Sequence, residues 1–146
     1  MKKVVVLICI LISFGFGKFQ SDDFILSVVK IDKSNLESIR VVLKLRNNLT
    51  RKIKYLTNSC AVSDFFKTNN SQVAIIAKSC DKNVPVILEL EPKSAVKFKI
   101  NINLKEQQTG FKLAFNLLEV PDVIKIDENN QSKLVARLIW TDEIKL

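Results

Sequence analysis

The chain has 146 residues, 47% of them hydrophobic, a formal net charge of +8 and no histidine. That length suits one domain around one core, and three glycines and three prolines are too few for a low-complexity or collagen-like chain. Without imidazole, Ser-His-Asp and Cys-His nucleophile pairs and His-containing zinc sites are excluded, so catalysis would have to rest on carboxylates, lysine, serine or the one tyrosine, Tyr55.

At the start, Lys2 and Lys3 precede an apolar run over 4–16, and Gly15 and Gly17 supply the small residues a signal peptidase needs before its cut. The run is shorter than the roughly 20 residues that span a bilayer, so residues 1–17 read as a signal peptide and not an anchor. The mature chain, 18–146, is then a single secreted or periplasmic domain with no transmembrane segment. It keeps a surplus of six cations after losing Lys2 and Lys3. In an oxidising compartment its two remaining thiols, Cys60 and Cys80, are expected to form a disulfide.

From there the dominant periodicity is two, the signature of half-buried strands. Weaker candidates lie at 23–31, 52–57, 72–78 and 85–90. In 39–46, Ile39, Val41, Leu43 and Leu45 share one face and Arg40, Lys44 and Arg46 the other. Across 95–104, Val96, Phe98, Ile100, Ile102 and Leu104 alternate with Lys97, Lys99, Asn101 and Asn103. Phe111, Leu113, Phe115 and Leu117 repeat the pattern, as do Leu134, Ala136, Leu138 and Trp140. This phase places Trp140 in the core, and Tyr55, in phase with Ile53, is expected to be packed as well. Asn-, Ser- and Pro-containing segments at 32–35, 46–48, 68–71, 91–94 and 127–130 carry turn chemistry between the runs. Residues 105–110 suit a turn or a short helical piece, and 120–132 the longest connection, with a short strand at 123–126. Eight short strands and no long amphipathic helix predict an all-β, immunoglobulin-like antiparallel β-sandwich of about seven to nine strands.

The order Leu43-Lys44-Leu45-Arg46-Asn47-Asn48, a short strand, Leu90-Glu91-Pro92 and Phe98-Lys99-Ile100 resembles small bacterial immunoglobulin-like domains, in which an Asn-rich turn ends one strand and a Leu-x-Pro turn leads into another carrying an inward Phe. Ser59-Cys60-Ala61-Val62-Ser63-Asp64-Phe65-Phe66 is similar to the Ser-to-Asp-Phe segment of the BsuPI proteinase-inhibitor family. The resemblance covers residues 39–104, and the chain departs from the family in its expected signal peptide, in its cysteine pair and in having Lys93, not glycine, after Pro92. It implies a sandwich fold and, as one reading of activity, proteinase inhibition.

Two binding surfaces are expected. A Cys60–Cys80 bridge would staple a loop carrying Phe65 and Phe66, adjacent aromatics that point to opposite sides of an extended segment. One can enter the core while the other anchors a protein partner. If strands 39–46 and 95–104 are neighbours, Arg40, Lys44, Arg46, Lys97 and Lys99 share one solvent face suited to an anionic polysaccharide or envelope surface. Arg51, Lys52 and Lys54 would extend that charge around the adjoining turn. The competing reading is a solvated face whose lysines deter edge pairing.

Nucleic acid is not expected, because export and scarce aromatic interleaving both oppose it. Residues 127–130 offer oxygens for calcium but lack the acidic ladder and glycine of an EF-hand, so no metal site is assigned. Asp64, Glu89 and Glu119 are the carboxylates a glycan hydrolase would draw on, but nothing in the sequence places two of them together. Asn48-Leu49-Thr50, Asn69-Asn70-Ser71 and Asn130-Gln131-Ser132 match the glycosylation acceptor pattern. The expectation is a non-catalytic binding module without a cofactor, with a proteinase inhibitor or a carboxylate-based glycan hydrolase as the alternatives.

Overall fold

A computed structural model describes residues 22–33, 38–105, 110–122 and 134–146. The proposed signal peptide, the short strand at 123–126, the oxygen-rich turn at 127–130 and the acceptor site at Asn130 lie outside the described residues. Among the described residues there are nine strands: β1 (Phe24–Asp32), β2 (Ile39–Asn47), β3 (Ile53–Asn58), β4 (Phe66–Thr68), β5 (Val73–Ile76), β6 (Pro85–Leu90), β7 (Ala95–Leu104), β8 (Leu113–Glu119) and β9 (Val135–Trp140). One 3-10 turn, Val62–Phe65, precedes β4.

The strands make two antiparallel sheets. The first runs β1-β2-β7-β5; in the second, β3 lies between β6 and β8. β9 pairs with β8 from residue 114 to 119, so β4 and β3 share the opposite edge of β8. The strand orders β1-β2-β7-β5 and β3-β8-β9 correspond to the two sheets of an immunoglobulin-type sandwich, with β6 added outside β3. Period-two alternation forces this layering. Val41, Leu43, Leu45, Ile53, Ile102, Leu113, Phe115 and Leu117 are each 0–1% exposed, and two such faces are removed from water only by packing against each other.

The interior centres on aromatic rings from both sheets. Phe98 of β7 stacks on Phe115 of β8 at 5.0 Å, Phe66 meets both rings, and Tyr55 meets Phe115 edge-on at 6.3 Å. Burial raises the Tyr55 phenol above its usual 10.0 by disfavouring the anion.

β9 differs from the sequence expectation. Its inward residue is Ile139, opposite Phe115, while Leu138 is 46% exposed and Trp140 is half-buried at the surface. The expected core phase through Leu138 and Trp140 is therefore off by one residue. Both phases of β9 are apolar enough to pass as a core face, and a one-residue shift exchanges them. The inward phase also holds Arg137, which lies at the rim over the Phe24 ring and near Glu119 and Asp23.

A buried asparagine joins the two turns that carry the family resemblance. Asn47 is fully buried; its side-chain amide donates to the carbonyls of Arg51, Leu90 and Glu91, and its Oδ1 accepts from the Leu49 amide. Its own amide donates to Ser94 O at 3.0 Å. Across that clasp, Glu91-Pro92-Lys93-Ser94 closes a turn through Ser94 N to Glu91 O, with Lys93 at φ 60°. Glycine occupies such a left-handed position most easily, so the departure after Pro92 carries backbone strain. The Lys93 ammonium donates to Asn48 O, tying the strained residue to the neighbouring turn.

Candidate functional site

Pairing of β2 with β7 settles the geometry of the cationic face. Arg40 lies opposite Asn101, Val42 opposite Lys99, Lys44 opposite Lys97 and Arg46 opposite Ala95. On the other side of β2, β1 contributes Asp32 opposite Arg40, Lys30 opposite Val42, Ser27 opposite Lys44 and Ile25 opposite Arg46. The irregularity between Val28 and Lys30 switches the phase, so that Lys30 and Asp32 fall on the outward side, and leaves Val29 as the extra, exposed residue. The expected set of Arg40, Lys44, Arg46, Lys97 and Lys99 therefore shares one outward surface, joined by Lys30. The sequence reading missed Lys30 because a bulge shifts the register of its strand.

Charge on this surface is unbalanced. Lys44 and Lys97 are direct cross-strand partners, a like-charge arrangement that destabilises a sheet. Lys30, Lys44, Arg46, Lys97 and Lys99 make no ion pair among the described residues, and Asp32 is the one carboxylate in the register rows of these strands. The Cβ atoms of directly opposed Lys44 and Lys97 stand about 5 Å apart across the strands, and alternate positions along one strand, such as Lys97 and Lys99, about 7 Å apart. That spacing suits a ligand with repeated negative charges.

The cations of β3 and its preceding turn behave differently. Arg51 meets Glu119 at 2.6 Å, Lys52 meets Glu89 at 2.8 Å and Lys54 meets Asp122 at 3.0 Å. The expectation that these three extend the positive surface is corrected. Lys54 lies on β3 of the opposite sheet and Arg51 and Lys52 in the turn leading into it, and each has a carboxylate close by. The Lys52 ammonium, by hydrogen bond and charge, holds the Glu89 carboxyl below its usual 4.5, and Glu89 raises Lys52 above 10.5. Of the carboxylates considered for hydrolysis, Glu89 and Glu119 are thus engaged with cations, and Asp64 accepts from Asn58 at 3.3 Å.

Cys60 and Cys80 form the expected disulfide, with Cα atoms 6.2 Å apart. Ser59 N donates to Val84 O and Ala61 N to the Asn83 side chain, so the returning chain is bound on both sides of the bridge. Within the closed loop, Phe66 is 5% exposed and packed on Phe98 and Phe115, while Phe65 is half-buried with its ring 6.4 Å from Phe115. Phe66 therefore belongs to the core, which corrects its place among the binding residues. Phe65, in the last position of the 3-10 turn, lies on the flank of the same aromatic cluster. The turn explains why the expected in/out alternation does not hold here, since it bends the chain before β4 begins. Of the two acceptor sites within the described residues, Asn48 donates to Asp22 O and Asn69 Oδ1 accepts from Lys112 N. No helix of the described residues is long and apolar enough to cross a membrane.

No protein-family model matches the chain, and no curated protein sequence does. Among solved structures, it is similar to the FixG-related protein from Vibrio parahaemolyticus, at 13% identity and a TM-score of 0.41, over 85% of this chain and 96% of that one.

Proposed function

We propose that the protein is an exported, non-catalytic binding module that lays the outer face of β1, β2 and β7 against an anionic polysaccharide of the cell envelope or its surroundings. The observation that carries this reading is the difference between the two sheets. Arg51, Lys52 and Lys54 each have a carboxylate neighbour, whereas Lys30, Lys44, Arg46, Lys97 and Lys99 have no ion pair among the described residues. Placing Lys44 directly against Lys97 costs stability in the free protein. A polyanion lying across the strands would relieve that repulsion, so the same contacts that hold the ligand would stabilise the sheet. The disulfide is compatible with an oxidising compartment outside the cytoplasm.

The test is calorimetric titration of the purified chain with dextran sulfate and polygalacturonate, using neutral dextran as control, at low and high salt. Binding to the charged polymers should weaken steeply with salt and be lost when Lys44, Lys97 and Lys99 are all changed to glutamate. Failure to bind either polymer at low salt, or binding unaffected by the triple change, refutes the proposal. The N-terminal sequence of protein recovered outside the cytoplasm tests the export step, which predicts a chain beginning at Lys18.

A further inference from the structure

On the side of the sandwich away from β5, the open edge of β1 runs along a cleft that the cationic face does not use. β1 ends its sheet, with β2 as its ladder partner among the described residues. Alternate N–H and C=O groups of such an edge strand point away from the sheet. Facing it is the segment that follows β9. Thr141 N donates to Leu113 O, and Phe111 and Ile144 exchange two backbone hydrogen bonds of 3.1 and 2.7 Å, so this wall is fixed to the second sheet.

Two hollows, of about 270 and 300 Å³, lie between the walls and share Ser27 and Asp142 in their linings, which makes them parts of one groove along β1. Its apolar surface includes Ile25, Val28 and Trp140. Asp22, Asp142 and Glu143 also line it; the one cation of the lining, Lys145, stands 3.9 Å from Glu143, and Asp22 and Asp142 make no ion pair among the described residues. An acidic lining on a chain of net charge +8 selects for the opposite charge in whatever enters.

We infer that this groove binds an extended, lysine- or arginine-bearing peptide segment of another protein, which adds as a strand to the open edge of β1 with its basic side chains toward Asp142 and Glu143. The edge supplies main-chain hydrogen bonds, and the mixed apolar and acidic lining supplies side-chain selectivity. The lined length, from Ile25 to Ile31, accommodates about six or seven extended residues. Phe24 is buried at one end beneath Arg137 and belongs to the core, so the site begins beyond it.

Trp140 is the only tryptophan in the chain and lines the groove, so its fluorescence reports occupancy directly. The purified full-length chain is titrated with a blocked peptide of about seven alternating lysines and valines, with a glutamate–valine peptide of the same length and with the lysine peptide N-methylated along one edge. The lysine peptide should shift the emission saturably, and the other two should not. Asp142→Lys combined with Glu143→Lys, both at exposed positions, should weaken binding roughly tenfold. Equal binding of the N-methylated peptide would overturn strand addition in favour of simple charge attraction. No saturable shift with any peptide would overturn the site. Self-association that the double change dissolves would assign the groove to a second copy of the chain and overturn a foreign partner.

Discussion

Replacing Lys97 with glutamate separates the stability of the cationic face from its use. In the folded protein Lys97 is exposed and lies opposite half-buried Lys44, with Lys99 two residues along the same strand. Directly opposed like charges destabilise a sheet, and opposed unlike charges stabilise it, each by a few tenths to about 1 kcal/mol. Lys97→Glu converts one arrangement into the other. After discounting for the solvent screening of an exposed side chain, the net gain is about 0.5–1 kcal/mol. With a urea m-value of about 2 kcal/mol/M, the unfolding midpoint should rise by about 0.25–0.5 M at low ionic strength, and most of that rise should vanish in 1 M salt. Binding to dextran sulfate should fall in the same variant. A loss of stability, or a gain that persists undiminished in high salt, would refute the assignment of Lys44 and Lys97 as an electrostatically strained pair. Unchanged polyanion affinity would remove Lys97 from the site.

Asn47→Leu leaves the carbonyls of Arg51, Leu90 and Glu91 and the Leu49 amide without their side-chain partner. Chemical denaturation should show a loss of about 3–5 kcal/mol, and a cost under about 1 kcal/mol would mean that water replaces the clasp. Cys60→Ser with Cys80→Ser opens a loop of sequence separation 20 and should cost about 3 kcal/mol in the same assay. The double variant should match the wild type measured in excess reductant. The single tyrosine gives a clean spectrophotometric titration, with its midpoint expected above 10.0 because Tyr55 is buried. Since folding raises this pKa, Tyr55 contributes full stability below its unfolded value near 10, and that contribution is lost as pH rises through the folded value. A midpoint at or below 10.0 in the folded protein would contradict the packing around Phe115. In an NMR titration, Glu89 should titrate below 4.5 and return toward it in Lys52→Ala.

Most of the fold was legible wherever one phase of a strand is apolar and the other is not. Residues 95–104 form a strand with the bounds read from the sequence, and 39–46 needs only Asn47 added; in these two the alternation itself dictates which side chains leave water. Residues 85–90 also form a strand with the expected bounds, but Ile87 and Leu88 stay exposed there and Leu90 alone is buried. The three-residue β4 was missed because it is shorter than any periodic signal, and it exists because a 3-10 turn delivers Phe66 onto Phe115. In β9 each phase carries large apolar residues, Val135 and Ile139 beside Arg137 in one and Leu138 and Trp140 in the other, so the sequence carried two registers, and pairing with β8 chose the one that buries Ile139 and exposes Leu138.

The candidate site divides in the same way. Composition alone determined that the chain carries excess positive charge and no histidine, and period two alone put Arg40, Lys44 and Arg46 on one side of one strand and Lys97 and Lys99 on one side of another. Local periodicity is a property of a single strand and says nothing about what stands beside it. Tertiary pairing decided that those two strands are neighbours, that Lys44 faces Lys97, that a bulge brings in Lys30, and that Lys54, on the other sheet, and Arg51 and Lys52, in the turn leading into it, lie beside carboxylates. The groove along β1 belongs wholly to that second level. Asp142 and Glu143 stand more than 100 positions from the β1 edge they face, and only the closure of the sandwich brings them together.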